Sequence, residues 1–180
     1  VHQEKDSDML LKSIRQDILD TSQKLMEEGL IVSGQGNLSC YDRDQGYIAI
    51  TPSGVPYDQR QADDICVIDI DEHLIHGNWQ PTSEIKLHMV YYHNRQDVSA
   101  VIHTHAPYAT VYGILGKESM PMVLNEAAMG LGGPVPVAPY ERPGTEALAR
   151  LTFEKTGQGV AAIMAHHGLV AVGPSLQDAY

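Results

Sequence analysis

His103-Thr104-His105 and, about sixty residues further on, His166-His167-Gly168 are the residues of this chain best suited to chemistry. Two histidines at i and i+2 on a strand point to the same face, so their imidazoles can converge on one point. A third imidazole from the later pair makes three protein ligands for a divalent cation and keeps a fourth position free. That count describes a catalytic zinc site, because structural sites are closed by four protein ligands. Imidazole is a borderline donor, which favours zinc over a hard ion such as magnesium. Neighbours on a strand face opposite ways, so one of His166 and His167 reaches the metal. Spacing alone leaves open which one. No HExxH motif and no following Asp-His occur, which excludes a zincin and a binuclear hydrolase cluster.

Glu84 stands in the first turn of an expected helix, behind Thr82 and Ser83. A carboxylate there serves the helix as a capping box or as a charge favoured by the dipole. Near a metal it has a second use, moving a proton on a carbon beside a polarised carbonyl. Burial beside anionic charge is expected to raise its pKa toward neutrality. Three segments suit an anion: Ser33-Gly34-Gln35-Gly36-Asn37, Thr51-Pro52-Ser53-Gly54 and Thr82-Ser83. Glycines let backbone N–H groups come close, hydroxyls add donors, and a helix start adds positive potential. Together they offer a phosphate site without a basic cluster.

These residues need elements to hold them. Leu10, Leu11, Ile14, Ile18, Leu25 and Met26 recur at helical spacing, predicting a helix over 7–29 capped by Ser7 and ended by Gly29. Residues 37–41 and 47–51 read as strands around an Asp42-Arg43-Asp44-Gln45-Gly46 turn, and 65–70 as another strand. A helix is expected over 81–93, with a hydroxyl as its N-cap. The apolar run 98–103 leads as a strand into the first histidines, and a short helix over 108–115 stops at Gly116. Residues 120–140, rich in Gly and Pro, read as loop with a short strand over 135–138. An amphipathic helix over 145–155 ends at Gly157, strands over 160–164 and 169–172 flank the second histidines, and Ser175 opens another helix. Helices interleaved with hairpins indicate a mixed α/β layer protein.

The 180 residues suit one domain and are too few for a TIM barrel. The net charge of -11, with no cluster of Lys and Arg, argues against nucleic acid or an anionic membrane as partner. Cys40 and Cys66 form no CxxC pair and read as small buried hydrophobes in a reducing compartment. The polar first residues lack the apolar core of a signal peptide, and no run reaches transmembrane length. A cytoplasmic protein is expected.

In combination and order, several segments resemble the class II aldolase/adducin family over nearly the whole chain. They are Gly36-Asn37-Leu38-Ser39, Ile50-Thr51-Pro52-Ser53-Gly54-Val55-Pro56-Tyr57, Ser83-Glu84, Val101-Ile102-His103-Thr104-His105-Ala106, Ala138-Pro139-Tyr140 and His166-His167-Gly168-Leu169. The resemblance implies an α/β/α sandwich around a mixed, largely antiparallel sheet, assembled as a homotetramer with active sites between subunits. It implies zinc held by His103, His105 and His167, Glu84 as the acid/base, and a phosphate among Gly36, Asn37, Ser53, Gly54, Thr82 and Ser83. The implied reaction is reversible cleavage of L-fuculose 1-phosphate, through an enediolate, to dihydroxyacetone phosphate and L-lactaldehyde. The family continues into a C-terminal helical region that supplies an aromatic acid, usually Tyr, whereas this chain stops at Tyr180. No aromatic stands in 120–133, where aldolases of the family can carry one, which leaves the aldehyde preference open. Glu84 favours an aldolase over the ribulose-phosphate 4-epimerases, which usually carry Asp at this place. A methylthioribulose-phosphate dehydratase and an adducin-like binding scaffold are the other readings, the last expected to have a degraded metal site.

Overall fold

The computed structural model describes residues 9–32 and 35–180. The expected cap at Ser7 and the Ser33-Gly34 part of the first glycine-rich segment lie outside them. Helix α1 (Lys12–Glu27) opens later than its apolar periodicity suggests, because Leu11 adopts a left-handed φ of 55°. At its other end Gly29, with φ +70°, takes the left-handed turn expected of it.

Nine strands follow in one sheet: β1 (Asn37–Asp42), β2 (Tyr47–Ile50), β3 (Cys66–Ile68), β4 (Leu74–His76), β5 (Ala100–Thr104), β6 (Ser119–Met120), β7 (Val135–Ala138), β8 (Ala161–Met164) and β9 (Gly168–Gly173). Their order is β4-β3-β2-β1-β5-β9-β8-β7-β6. Among the described strands only β7 and β8 run parallel; the other neighbours are antiparallel. The remaining helices are α2 (Ile85–Asn94), α3 (Pro107–Ile114), α4 (Asn125–Leu131), α5 (Glu146–Thr156) and α6 (Leu176–Ala179).

Alternation along the strands sorts side chains to two faces. Ile50, Val101, Val170 and Val172 pack with Leu87 and Tyr91 of α2 and Leu148 of α5. On the opposite face Leu38, Ala49 and Ile102 pack with Ile18 and Leu25 of α1 and Leu176 of α6. Ile163 on that same side meets Ala109 and Tyr112 of α3. The result is a three-layer α/β/α sandwich with a mixed, largely antiparallel sheet.

Some elements carry no readable pattern. β4 is exposed at all three positions on the sheet edge, so burial imposes no alternation on it. The stretch 120–140 holds β7 as expected, but also α4, whose residues are exposed or half-buried and interrupted by Gly130. Arg15 sits fully buried on the apolar face of α1. Its guanidinium meets His76 Nδ1 at 2.7 Å and donates to the Ala62 carbonyl, tying α1 to the β4 edge. Cys40 and Cys66 are free thiols, half-buried and buried, and burial pushes both up to about 11.

Candidate active site

Three central strands end together. β1 begins opposite the end of β5, with Asn37 beside His103, and β5 ends beside the start of β9, with Thr104 opposite Leu169. His103 shares the α2 side of the sheet with Val101, and His105 follows just past the strand end on the same parity. The second pair lies in the turn between β8 and β9, not within a strand. His166 takes a left-handed φ of 58° and stays exposed, its ring 6.0 Å from that of Tyr140. His167 turns inward and is buried.

His103, His105, His167 and Glu84 come together, with one ligand atom from each within 4.8 Å of the others. His103 Nε2 lies 3.1 Å from His105 Nε2 and 3.1 Å from Glu84 Oε2, while His167 Nε2 lies 3.2 Å from Glu84 Oε1. His103 Nδ1–H donates to the Leu169 carbonyl at 2.9 Å, since a carbonyl only accepts. That bond leaves an Nε2 lone pair aimed into the cluster, the orientation a metal-bound imidazole needs. Lone pairs and carboxylate oxygens packed this closely in a buried place repel unless they share a cation. The donor set therefore fits a divalent cation such as zinc, which His103, His105 and His167 would hold through nitrogen.

Burial pushes His105 down to about 4, aided by the neighbouring His103 and His167, so its nitrogen is unprotonated at neutral pH. Burial pushes the Glu84 carboxyl up, but the close imidazoles of His103 and His167 and the hydrogen bond from Asn37 Nδ2 outweigh it and hold the group well below the usual carboxylate range. The expected rise toward neutrality is thus not found, because an Asn37 donor and imidazoles that would share a cation with it surround this carboxylate where anionic neighbours were expected. Glu84 occupies the N-cap of α2, yet its side chain makes no capping bond. Thr82 Oγ1 accepts from the Glu84 N–H at 3.3 Å ahead of the helix, so the hydroxyl N-cap expected for α2 is not found and the Glu84 carboxylate is left for the site.

Thr51 joins the three anion-suited segments. Its hydroxyl accepts from the Leu38 N–H at 3.1 Å, its N–H donates to the Leu38 carbonyl, and its carbonyl accepts from the Thr82 N–H. Gly36, Asn37, Ser53, Gly54, Thr82 and Ser83 line one cleft of about 1370 Å³ together with Glu84, His105 and His167. The Asn37 side chain is engaged within the protein, by Glu84 at 2.9 Å from Nδ2 and by His88 at 2.6 Å from Oδ1. Gly36 is required by a close approach. At φ +105°, a Cβ there would lie 2.6 Å from the His103 carbonyl.

Two cationic residues of the cleft escaped the sequence reading, since isolated arginines carry no pattern. Arg60 stacks over Tyr57 at 3.5 Å and donates to the Val55 and Pro52 carbonyls, bracing the loop that presents Ser53-Gly54. Arg142 reaches the same cleft from the turn before α5. That turn seats against Ser83, where a Cβ on Gly144 would be 2.8 Å from the Ser83 carbonyl.

Gly168 makes the metal cluster sensitive to a single methyl. A Cβ there would lie 2.3 Å from the Thr104 carbonyl and 3.2 Å from His103 Cε1. Gly168→Ala is expected to destabilise the protein by about 1–3 kcal/mol, as overpacking does, and to lower bound zinc per chain. Thermal unfolding with metal analysis checks this; an unshifted midpoint with full zinc would refute it.

The family model described as Class II Aldolase and Adducin N-terminal domain matches residues 16–180. The 5-deoxy-D-ribulose 1-phosphate aldolase of Bacillus thuringiensis serovar kurstaki is 37% identical over 173 residues, or 96% of this chain and 80% of that protein. The L-fuculose phosphate aldolase of Escherichia coli (strain K12) is 34% identical over 162 residues, or 90% of this chain and 74% of that protein. A solved structure of L-fuculose 1-phosphate aldolase superposes with a TM-score of 0.90 at 35% identity, covering 96% of this chain and 81% of that one. With the family model spanning residues 16–180 and the sandwich superposing on a solved member at this identity, the chain belongs to the class II aldolase and adducin N-terminal domain family.

Proposed function

We propose that this protein is a zinc-dependent aldolase that reversibly cleaves a ketose 1-phosphate to dihydroxyacetone phosphate and a short aldehyde. The observation that carries the reading is the meeting of an ionised Glu84 with three imidazoles at the wall of a cleft that also gathers the anion-suited segments. Zinc, when held by His103, His105 and His167, supplies a Lewis acid for the negative charge that develops on oxygen as the C3–C4 bond breaks. As the C3–C4 bond breaks, the C4 hydroxyl becomes the aldehyde carbonyl and its proton passes to the ionised Glu84, which delivers it to the carbanionic C3; condensation runs the same transfers in reverse. Ser53, Gly54, Thr82 and Ser83 hold the phosphate, so that its binding energy orients carbons that lie away from it.

L-fuculose 1-phosphate would yield L-lactaldehyde, and 5-deoxy-D-ribulose 1-phosphate would yield acetaldehyde. The dihydroxyacetone phosphate half is common to both, so the two substrates ask the same of Glu84. Offering both ketose phosphates and L-ribulose 5-phosphate to zinc-loaded protein tests the proposal, with dihydroxyacetone phosphate and the aldehyde as readouts. Release from a ketose 1-phosphate supports it. Epimerisation of L-ribulose 5-phosphate alone, or reaction of none, would overturn it.

Arg142 carries a prediction within this reading. A charged hydrogen bond to phosphate contributes about 1.5–3 kcal/mol. Arg142→Ala is therefore expected to raise KM about tenfold or more while kcat holds. Steady-state kinetics at fixed ionic strength measures this, and an unchanged KM would remove Arg142 from phosphate binding.

A homotetramer with active sites between subunits belongs to the same proposal. It is supported by apolar side chains left in solvent around α3 and α4, among them Tyr108 at 93%, Val123 at 79% and Met129 at 87% exposure. The reading takes 1–180 as one domain. Cytoplasmic residence is also part of it, supported by the two free thiols. Among the described residues no helix is long and apolar enough to cross a membrane.

A further inference from the structure

We propose that His88, locked as the tautomer with its proton on Nε2, is a positioning residue that aims Glu84 through Asn37. What Glu84 then does rests on the aldolase reading; the positioning itself does not.

The geometry is an interleaved column. Glu84, His88 and Tyr92 recur every four residues along one side of α2 and its N-cap, while Asn37 and Ser39 share one face of β1. The two sets alternate in space. Tyr92 OH lies 2.6 Å from Ser39 Oγ, and Ser39 Oγ lies 2.6 Å from His88 Nδ1. His88 Nε2 lies 2.6 Å from Asn37 Oδ1, and Asn37 Nδ2 lies 2.9 Å from Glu84 Oε2. All five residues are buried, His88 and Ser39 completely.

Chemistry leaves one direction for each bond. The carboxylate only accepts, so Asn37 must turn its NH₂ toward Glu84 and its carbonyl toward His88. That carbonyl only accepts, so His88 Nε2 bears the hydrogen. Full burial pushes His88 down to about 3, with His103 adding to the effect and Glu84 opposing it, so the ring is neutral and Nδ1 is a lone pair. Ser39 O–H donates to that lone pair, and Tyr92 O–H donates to Ser39. Every donor along the column points toward Glu84.

The other tautomer would place an Nε2 lone pair against the Asn37 carbonyl. Asn37 could escape by flipping its amide, but would then set its carbonyl against the Glu84 carboxylate. Either arrangement buries two facing acceptors, which polar groups in a core avoid strongly. Glu84 is thus the lock: its carboxylate only accepts, which fixes the Asn37 amide and with it the proton on His88 Nε2, and Ser39 completes the column by donating to the bare Nδ1.

The test uses zinc-loaded protein with ¹⁵N-labelled histidine and ¹³C-labelled glutamate side chains. In the wild type, His88 should show a protonated Nε2 and a bare Nδ1. His88→Leu should free the Asn37 amide and shift the Glu84 carboxyl carbon, with zinc content unchanged. In the aldolase assay, His88→Leu should lower kcat about tenfold, the loss of one oriented hydrogen bond, and leave KM alone. His88→Gln, whose amide N–H can still donate to the Asn37 carbonyl, should act in the same direction but less. The inference falls if the wild-type ring holds its proton on Nδ1, or if His88→Leu keeps the wild-type Glu84 signal. It also falls if zinc content and kcat drop while KM rises in both variants, because the column would then be only structural. A wild type inactive on every ketose phosphate removes the aldolase reading alone, since the two NMR signals still decide whether His88 aims Glu84.

Discussion

Glu84→Gln is expected to keep zinc and to lose about 10²–10⁴-fold in proton exchange at the dihydroxyacetone phosphate carbon, the range for a positioned acid–base group. The substitution is nearly isosteric, and a Gln carbonyl can still accept from Asn37 Nδ2, now 2.9 Å from Glu84 Oε2. The amide cannot take a proton. Three imidazoles remain for the metal, so the loss should fall on exchange and not on metal content. Deuterium uptake from D₂O into dihydroxyacetone phosphate, followed by NMR beside metal analysis, separates the two. Undiminished exchange would remove Glu84 as the base. Loss of zinc along with exchange would make its carboxylate a ligand as well.

His105→Ala should abolish activity through the metal. His105 lies past the end of β5, is only partly buried, and its ring meets those of His103 and His167 at centroid distances of 4.9 and 5.0 Å. Its removal costs little packing, unlike that of His103, which is fully buried within the strand. The fold should survive while zinc affinity falls more than about a hundredfold, since a group that merely orients a ligand already costs 10–100-fold. Metal analysis after dialysis, with circular dichroism to follow the fold, checks this. Full zinc in the variant would exclude His105 as a ligand.

The site was legible where chemistry repeats at a fixed spacing. His103 and His105 face one way because strand parity makes them, and that parity survives the small overrun past β5. The choice between His166 and His167 was different. It depends on a left-handed φ at His166, a property of the turn that no alternation announces. Glu84 could be read as a cap or as a catalytic group, and the structure separated these: it stands at the N-cap of α2, but its side chain makes no capping bond and turns to the histidines. Its ionisation went against expectation because a pKa answers to neighbours, and Asn37, His103 and His167 arrive from three other segments of the chain.

Local pattern and composition by themselves determined the strands and helices with regular burial and the common face of His103 and His105. Those properties arise from residues a few positions apart, whose separation the backbone dictates. Only the folded sheet decided which nitrogen of which histidine faces inward, which arginines reach the cleft, and how Tyr92, Ser39, His88 and Asn37 line up on Glu84. These are contacts across about fifty residues of chain, set by the register of β1 against β5 and by where α2 crosses them.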